Sequence, residues 1–388
     1  MNKRSPVYIR EQYSQDKKFS LVVSFAMLIL MWGMLVGAAP GPTNPETEST
    51  PVSSPNTIHT LFIPLVQTSD IPEWSIERVD APKYFVDMTS RSIKLRANDL
   101  PCVVYGADHL YIDCYDGDQW QQEIVDTSFG VGRFASLSID RDGARYIAYY
   151  DEINGALKYA YSSGTDWQIQ TVDTPVSSAQ VASEERTVDS TVVLQRAGIE
   201  GVLSGKSGLG GYTSIAIDST RKPHISYYDY DHANLKYASW DGSTWVVQTV
   251  DSGGDVGQYS SLSIDSNGNP HIAYYDASNQ SLKYARLKNG SWDIKTVDSD
   301  GNVGQFASLA LDDSGYPHIA YYDATDENLK YAVSNGSSFK VKTLMSTGDV
   351  GQFASLALDS NDQPYIGYFD ATNGDLRLAF IQDGIWVT

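Results

Sequence analysis

The sequence repeats itself with a period of about 47 residues over most of its length. Each repeat unit carries one marker aromatic residue, and successive markers are separated by 46, 47, 78, 47, 47 and 47 residues. The markers are Trp74, Trp120, Trp167, Trp245, Trp292, Phe339 and Trp386. The one long spacing indicates a unit with an insertion. A fixed period of this size is typical of propellers, solenoids and other repeat arrays.

Each unit contains four short segments rich in β-branched and aromatic residues, separated by turn-forming residues. In the unit that starts at Trp245, these segments are Trp245–Val250, Ser261–Ile264, His271–Tyr275 and Leu282–Ala285. None of them has the 3.6-residue period of an amphipathic helix. Four strands per unit at this period form a propeller blade. The sequence therefore predicts an all-β fold, a six-bladed β-propeller with four antiparallel strands per blade.

The two ends of the repeat region predict how the propeller closes. The last unit stops two residues after Trp386, before its outer strand is complete, and a spare copy of the outer-strand pattern stands at Trp74–Asp80. We therefore expect this N-terminal strand to close the last blade, and the propeller to span residues 74–388. The insertion falls in the third repeat, at about residues 174–208.

The N-terminal residues have the pattern of an export signal. Basic residues precede a long apolar run, Leu21 to Ala39, which ends in small residues. This pattern predicts that residues 1–39 form a signal peptide, with a retained membrane anchor as the alternative because the run is nearly long enough to span a bilayer. Both interpretations place the rest of the protein outside the cell or at the cell surface. Residues 40–73 then form a Pro/Ser/Thr-rich linker with a short apolar segment.

The formal charge of −20 argues against nucleic acid as a partner, because phosphate backbones would be repelled. We expect a glycan or a surface protein as the partner, contact with membrane only through the N-terminal segment, and a monomer. No phosphate-binding glycine loop is visible. We expect no cofactor.

Residues that recur from blade to blade are the weak candidates for ligand contact, at the rim where the turns follow the Tyr-Tyr-Asp motif. The alternative for the aspartates is structural, because Asp readily hydrogen-bonds backbone amides two residues on and so braces a turn. The candidates are Asp151, Asp229, Asp276, Asp323, Asp370, Tyr150, Tyr228, Tyr275 and Tyr322.

Histidine and cysteine suggest no metal centre. His224, His271 and His318 share one register in three consecutive blades, which would hold them about 11 Å apart, whereas zinc ligands lie within about 2 Å of the metal. Cys102 and Cys114 flank a tight hairpin that places them opposite one another. We expect a disulfide there in an exported protein, with two buried thiols as the alternative.

Three functions remain open at this stage. A multivalent carbohydrate-binding module at the cell surface is favoured, because near-identical blades would present equivalent grooves. A protein-interaction or adhesion scaffold that uses the 174–208 insertion is the second. A glycoside hydrolase or polysaccharide lyase is the third, but no nucleophile–base pair or metal-ligand spacing is visible, so we nominate no catalytic residue.

The motifs Pro-His-Ile-Ala-Tyr-Tyr-Asp, Leu-Lys-Tyr-Ala and Gly-x-Trp resemble the repeats of secreted bacterial six-bladed β-propeller proteins. In layout the chain is also similar to fucose-binding propeller lectins and, more distantly, to sialidase-like propellers. The resemblance implies the same fold and a lectin-like role. The recurring Arg, Glu and Trp set of the fucose lectins and the three arginines of sialidases are not repeated here, so the resemblance carries no sugar identity and no site residues.

Overall fold

The computed structural model describes residues 62–66, 74–78, 91–106, 108–175, 207–382 and 384–388. Within these residues the only regular elements are β-strands. The first two, β1 (Phe62–Val66) and β2 (Trp74–Arg78), form a separate antiparallel pair in which Val66 lies opposite Trp74. Twenty-four further strands form six antiparallel sheets of four strands each, as expected for a six-bladed β-propeller.

The blades follow one another along the chain. Blade 1 contains β3 (Ile93–Leu95), β4 (Pro101–Gly106), β5 (Leu110–Tyr115) and β6 (Trp120–Asp126). Blade 2 contains β7 (Val131–Ile139), β8 (Arg145–Asp151), β9 (Ala156–Ser162) and β10 (Gln168–Asp173). Blade 3 contains β11 (Leu209–Ile217), β12 (Pro223–Asp229), β13 (Asn234–Trp240) and β14 (Trp245–Asp251). Blade 4 contains β15 (Val256–Ile264), β16 (Pro270–Asp276), β17 (Ser281–Lys288) and β18 (Ser291–Asp298). Blade 5 contains β19 (Val303–Leu311), β20 (Pro317–Asp323), β21 (Asn328–Ser334) and β22 (Phe339–Met345). Blade 6 contains β23 (Val350–Leu358), β24 (Pro364–Asp370), β25 (Asp375–Gln382) and β26 (Ile385–Val387).

The expected closure of the last blade by the N-terminal strand is wrong. Strand β2 pairs with β1, and the last sheet supplies its own fourth strand, β26, which pairs with β25. Trp386 of β26 lies on Tyr331 of blade 5, with ring centroids 5.2 Å apart. The marker Trp292 lies on Tyr237 in the same way, also at 5.2 Å. Trp386 occupies the marker position of the last blade, so this position is not open to a strand that begins with Trp74.

The first strand of each blade is its inner strand, nearest the axis, and the fourth is its outer strand. In blades 2 to 6 the inner strand begins earlier than the sequence predicts. In blade 4 it starts at Val256 rather than Ser261, and its pairing with β16 shifts register twice, around Gly257 and between Gln258 and Ser261. Gly257 has a φ of +112°, and a Cβ on it would lie 2.8 Å from the Cα of Leu235 in blade 3. Glycine is therefore required where the inner strand passes close to the preceding blade.

Neighbouring blades are joined through their inner strands. The Ser214 hydroxyl accepts a hydrogen bond from the Leu262 amide of the next blade at 3.0 Å, and the same contact recurs from blade to blade. The other copies are Ile215 to Ser136 at 3.1 Å, Leu309 to Ser261 at 2.6 Å and Leu356 to Ser308 at 2.9 Å. The second strands of blades 3, 4 and 5 are buried along their whole length, since each faces a neighbouring blade on both sides.

A second inter-blade contact joins three side chains. The carboxylate of Asp251, at the end of the outer strand of blade 3, accepts hydrogen bonds from Tyr274 and Lys283 of blade 4. We call this arrangement the Tyr-Asp-Lys clamp. Its other copies are Asp126 with Tyr149 and Lys158, Asp173 with Tyr227 and Lys236, and Asp298 with Tyr321 and Lys330.

The clamp is absent between blades 5 and 6, both of which the structure describes in this region. Met345 stands at the position of the aspartate. The buried hydroxyl of Tyr368 has no carboxylate acceptor, and Arg377 lies beside it. Arg377 stands at the lysine position and instead donates to Asp370 at 2.7 Å.

The disulfide predicted in blade 1 is present. A disulfide joins Cys102 to Cys114, which lie opposite one another in β4 and β5 with Cα atoms 4.1 Å apart.

No helix among the described residues is long and apolar enough to cross a bilayer. The Leu21 to Ala39 run lies outside the described residues.

Candidate functional site

Five aromatic side chains, one from each of blades 2 to 6, form a continuous series around the axis of the propeller. We call this series the aromatic arc. Its members are Phe134, Tyr212, Tyr259, Phe306 and Phe353. Successive ring centroids are 5.0, 4.8, 4.8 and 4.4 Å apart. The sixth copy of this position is Ser90, which lies outside the described residues.

The spacing of the rings places them at the axis. For six equivalent positions around a circle, the distance between neighbours equals the distance to the centre, so the rings lie about 5 Å from the axis of the central channel. Four of the five rings are half-buried, and Phe134 is 4% exposed. The arc therefore gives the end of the channel where the inner strands begin a rim of accessible aromatic surface.

The backbone of the arc is unusual in every copy. The φ angles of the five residues lie between 51° and 54°, in the left-handed region that bulky side chains rarely adopt. Each residue sits at the bulge where the inner strand shifts register against the second strand, and such bulges change the direction in which a side chain points. Left-handed non-glycine residues are concentrated at functional sites. Here the strained backbone presents five aromatic rings to one small volume.

Polar groups surround the arc on the same face. The Gln352 amide donates to Asp349 at 2.8 Å, Gln258 donates to Asp255 at 3.1 Å, and Arg133 donates to Glu152 at 2.9 Å. We call these groups, with the equivalent pair of blade 5, the polar crown. Its members are Arg133, Glu152, Asp255, Gln258, Asn302, Gln305, Asp349 and Gln352. The arc and the crown together form what we call the mouth.

The predicted tyrosines lie directly behind the mouth. Their rings are at most 7% exposed, and each hydroxyl donates to the loop that begins the next inner strand. Tyr228 donates to Asp255 at 2.7 Å, Tyr275 to Asn302 at 2.6 Å and Tyr322 to Asp349 at 2.8 Å, while Tyr150 donates to the Ser207 carbonyl. Burial, reinforced by Asp255, raises the pKa of Tyr228, so this tyrosine stays a neutral donor. These residues hold the crown in place from below.

The predicted aspartates lie at the ends of the second strands and brace the turns that follow. The carboxylate of Asp276 accepts hydrogen bonds from both the backbone and the side-chain amide of Asn279, each at 2.9 Å. Asp151 and Asp370 accept the equivalent backbone amide, three residues on, at 3.0 Å. Asp229 and Asp323 accept it at 3.1 and 3.2 Å. None of the five is more than 4% exposed. This geometry favours the structural alternative, and direct ligand contact by these residues stays a prediction.

The three register-equivalent histidines are each engaged within their own blade. His271 contacts the Tyr284 hydroxyl at 2.6 Å through Nδ1 and Asp265 at 3.4 Å through Nε2. Burial, followed by the charge of Arg286, lowers the pKa of His271 to about 4, although Asp265 opposes the shift. His224 and His318 repeat the arrangement, and burial lowers the pKa of both. Among the described residues, no group of three or more His, Cys, Asp or Glu side chains is placed to hold a metal ion.

Blade 3 departs from the others at the mouth. Gly211 takes the place of the crown glutamine, and a Cβ there would lie 2.5 Å from the ring of Tyr230, which fills the space. The insertion enters the inner strand at this point: the amide of Gly208 donates to Asp231 at 2.9 Å. Residues 176–206 of the insertion lie outside the described residues. The ends of the insertion therefore adjoin the mouth.

Sequence reasoning missed the arc. The aromatic residue after Gly-x in each inner strand is visible as part of the repeat, but its position in a strand indicates packing between blades. Nothing in the sequence shows that the backbone turns left-handed there, because aromatic residues disfavour that conformation. The signal that could have found it is the recurrence of Phe or Tyr at a bulge position marked by a preceding Gly.

Comparisons with known proteins support the fold. No family model and no curated protein matches the sequence. Among solved structures, an ulvan lyase of polysaccharide lyase family PL25, bound to -[GlcA(1-4)Rha3S]-, is 13% identical with a TM-score of 0.53, over 78% of this chain and 82% of the other. A second structure of a PL25 ulvan lyase gives 14% identity and a TM-score of 0.52 over the same shares. The likeness is one of fold. A protein of unknown function from Dyadobacter fermentans is 12% identical, with a TM-score of 0.47, over 77% of this chain and 97% of the other.

Proposed function

We propose that this protein is an exported carbohydrate-binding propeller that holds its ligand at the mouth. The observation that carries the proposal is the aromatic arc, with five rings spaced 4.4 to 5.0 Å apart and all on left-handed backbone. A sugar ring has an apolar C–H face that packs on an aromatic face, and its hydroxyls need donors and acceptors around the edge. The arc supplies the first and the crown supplies the second, as in pockets with an aromatic lining and a few convergent polar groups.

The chemistry of the mouth favours a neutral or basic polar ligand over a strongly anionic one. The crown carries the carboxylates of Glu152, Asp255 and Asp349, against the single guanidinium of Arg133. Its amides and carboxylates already exchange hydrogen bonds with one another, so they are held in position before a ligand arrives. Preorganised polar groups reduce the entropy lost on binding.

A glycan array on the purified propeller, followed by titration calorimetry with the best ligand, tests the proposal. Replacing Phe306 with Ala removes one ring and no hydrogen bond. If a sugar covers about 60 Å² of that ring, affinity should fall about tenfold at ~25 cal/mol per Å². Tyr316→Ala is the matched control, because Tyr316 is a 40%-exposed aromatic residue outside the mouth. Absence of any glycan binding at micromolar protein, or an equal effect of both variants, would contradict the proposal.

A polysaccharide lyase or glycoside hydrolase is the second candidate, supported by the PL25 ulvan lyase fold. In that case the scissile bond would lie in the same mouth, where Arg133 and Glu152 form an ion pair. Incubation with ulvan and with the best array ligand distinguishes the two functions. The appearance of an unsaturated or shortened product would favour the enzyme, whereas intact ligand at saturating protein favours the binding module.

A further inference from the structure

A groove of about 500 Å³ lies between blades 5 and 6. It is lined in part by the turn between β23 and β24, at the end of the blade opposite the mouth. Its lining includes His318, Lys340, Lys342, Asp362, Ile381 and Trp386. A groove of this volume accommodates a small ligand.

At three other blade junctions the indole N–H of the marker tryptophan has an acceptor, whereas that of Trp120 in blade 1 is buried without a partner. The indole N–H of Trp245 donates to Gln170 at 2.9 Å, and that of Trp292 donates to Gln248 at 3.0 Å. The indole N–H of Trp167 donates to Glu123 at 3.1 Å. In each case the acceptor is a side-chain oxygen on the outer strand of the preceding blade.

The junction between blades 5 and 6 replaces that acceptor with a cation. Lys342 lies opposite Tyr331 in β22, as Gln248 lies opposite Tyr237 in β14. An ammonium group has only donors, so Lys342 cannot accept the N–H of Trp386. Among the described residues, neither Trp386 nor Lys342 makes a hydrogen bond or ion pair. Two unpaired donors therefore border one groove, in which Asp362 and Gln363 carry side-chain acceptor oxygens.

The junction between blades 4 and 5 shows that lysine at this register does not by itself leave two donors. Lys295 lies opposite Tyr284, but the marker there is Phe339, which has no N–H. At that position of the junction the cationic donor is Lys295, whose ammonium lies 4.0 Å from Asp293. Where glutamine faces tryptophan, the two side chains hydrogen-bond to each other. Only the junction of blades 5 and 6, of the junctions the structure describes, pairs lysine with tryptophan.

The charges around the groove are mixed. Lys340 adds a second exposed cation to the same strand. Asp362 supplies a carboxylate, but its Oδ1 accepts the backbone amide of Asp313 at 3.0 Å. His318 is held by the Tyr331 hydroxyl and lies 3.8 Å from Asp312. The apolar floor comes from Ile381 and the ring of Trp386, which packs on Tyr331 at 5.2 Å.

We propose that this groove is a second ligand site, distinct from the mouth, which binds an acidic saccharide through the anionic group of a single sugar residue. The carboxylate or sulfate accepts hydrogen bonds from the Trp386 N–H and the Lys342 ammonium, and so takes the place of the glutamine or glutamate that accepts from Trp167, Trp245 and Trp292. Hydrogen bonds to ionised acceptors are the stronger ones. The sugar ring covers the apolar floor beside them.

The test is a titration of the full-length protein with methyl glucuronide, with methyl glucoside as the neutral probe and glucose 6-sulfate as the sulfate-bearing one. The readout is the resonance of the Trp386 indole N–H, assigned by its loss in Trp386→Phe, together with the affinity. Lys342→Gln restores the acceptor found in blades 2 and 3 and should weaken binding of the acidic sugar about tenfold to a hundredfold. Lys295→Gln makes the same change of charge one blade away and should leave the affinity unchanged.

The outcomes separate this site from the mouth. A shift of the Trp386 resonance by either acidic sugar and not by the glucoside, lost in Lys342→Gln and kept in Phe306→Ala, supports the proposal. The acidic probe that binds more tightly shows whether the site prefers a carboxylate or a sulfate. An unmoved Trp386 resonance at millimolar acidic sugar, equal shifts by the glucoside, or an equal loss in Lys295→Gln and Lys342→Gln would overturn it, whatever the result at the mouth.

Discussion

The Tyr-Asp-Lys clamp gives a quantitative test of what holds successive blades together. In the junction of blades 3 and 4, the Tyr274 hydroxyl donates to Asp251 at 2.7 Å, and both residues are at most 8% exposed. Burial by itself would raise the pKa of Asp251, but the hydrogen bonds from Lys283 and Tyr274 outweigh it and lower the pKa. The carboxylate is therefore ionised in the folded protein, and Tyr274→Phe removes one of its donors without opening a cavity.

The expected loss follows from the charge of the acceptor. A hydrogen bond to an ionised group contributes about 1.5 to 3 kcal/mol to stability. Tyr368 is the equivalent residue in blade 6, equally buried, but its hydroxyl has no carboxylate to donate to because Met345 replaces the aspartate. Tyr368→Phe should therefore leave the free energy of unfolding almost unchanged. The two substitutions remove the same atom from the same position of the blade.

Urea unfolding of both variants, followed by tryptophan fluorescence and far-UV circular dichroism, measures the difference. We expect a lower midpoint for Tyr274→Phe with an unchanged slope, and a midpoint for Tyr368→Phe that coincides with the parent protein. Equal losses in the two variants would contradict this expectation, since the hydroxyl would then contribute through packing rather than through its bond to Asp251.

Three further predictions concern pH, backbone and cross-link. His271 has a pKa of about 4 in the folded protein and about 6.5 when unfolded, so its contribution to stability is complete above pH 6.5 and is lost as the pH falls towards 4, by about 3 kcal/mol in all. Urea titrations across this range should show that the free energy of unfolding falls less steeply with pH in His271→Tyr than in the parent protein. Tyrosine is the residue type at this register in two other blades, at Tyr146 and Tyr365. Gly304→Ala should lose several times more stability than Gly268→Ala. Both residues have positive φ, which costs an alanine roughly 1 to 2 kcal/mol, but only at Gly304 would the new Cβ meet backbone, 2.7 Å from the Leu282 Cα. Similar thermal midpoints for the two variants would contradict the close approach. Reduction of the Cys102–Cys114 disulfide, which has a sequence separation of 12, should destabilise blade 1 by about 3 kcal/mol, seen as a lower midpoint in dithiothreitol that is absent in a Cys102→Ser/Cys114→Ser variant.

The repeat made most of the fold predictable. The spacing of the marker aromatic residues fixes the length of a blade, and the turn residues between β-branched segments fix four strands per blade. The closure was not predictable in the same way, because Trp74 and Trp386 carry the same pattern and compete for one position. The sequence cannot show that Trp386 packs on Tyr331, since that contact joins two blades.

The candidate site was predictable only in its location. The turns after Tyr-Tyr-Asp and the connections to the next inner strand do lie on one face, as the backbone hydrogen bond from Ala277 to Asp255 shows. The residues with the strongest repetition, such as Asp276 and Tyr275, turn out to support the site from behind. Repetition marks residues that support the structure of most blades, whereas the partly exposed rings of the arc depend on a left-handed backbone that local propensity opposes.

The proposed binding of carbohydrate at the mouth is tested most directly by a crystal structure of the propeller with the oligosaccharide that binds best. We expect a sugar ring packed within about 4 Å of the Tyr259 or Phe306 ring, with its hydroxyls on Gln258 or Gln305. A ligand bound elsewhere on the propeller while the mouth holds only solvent would contradict the account.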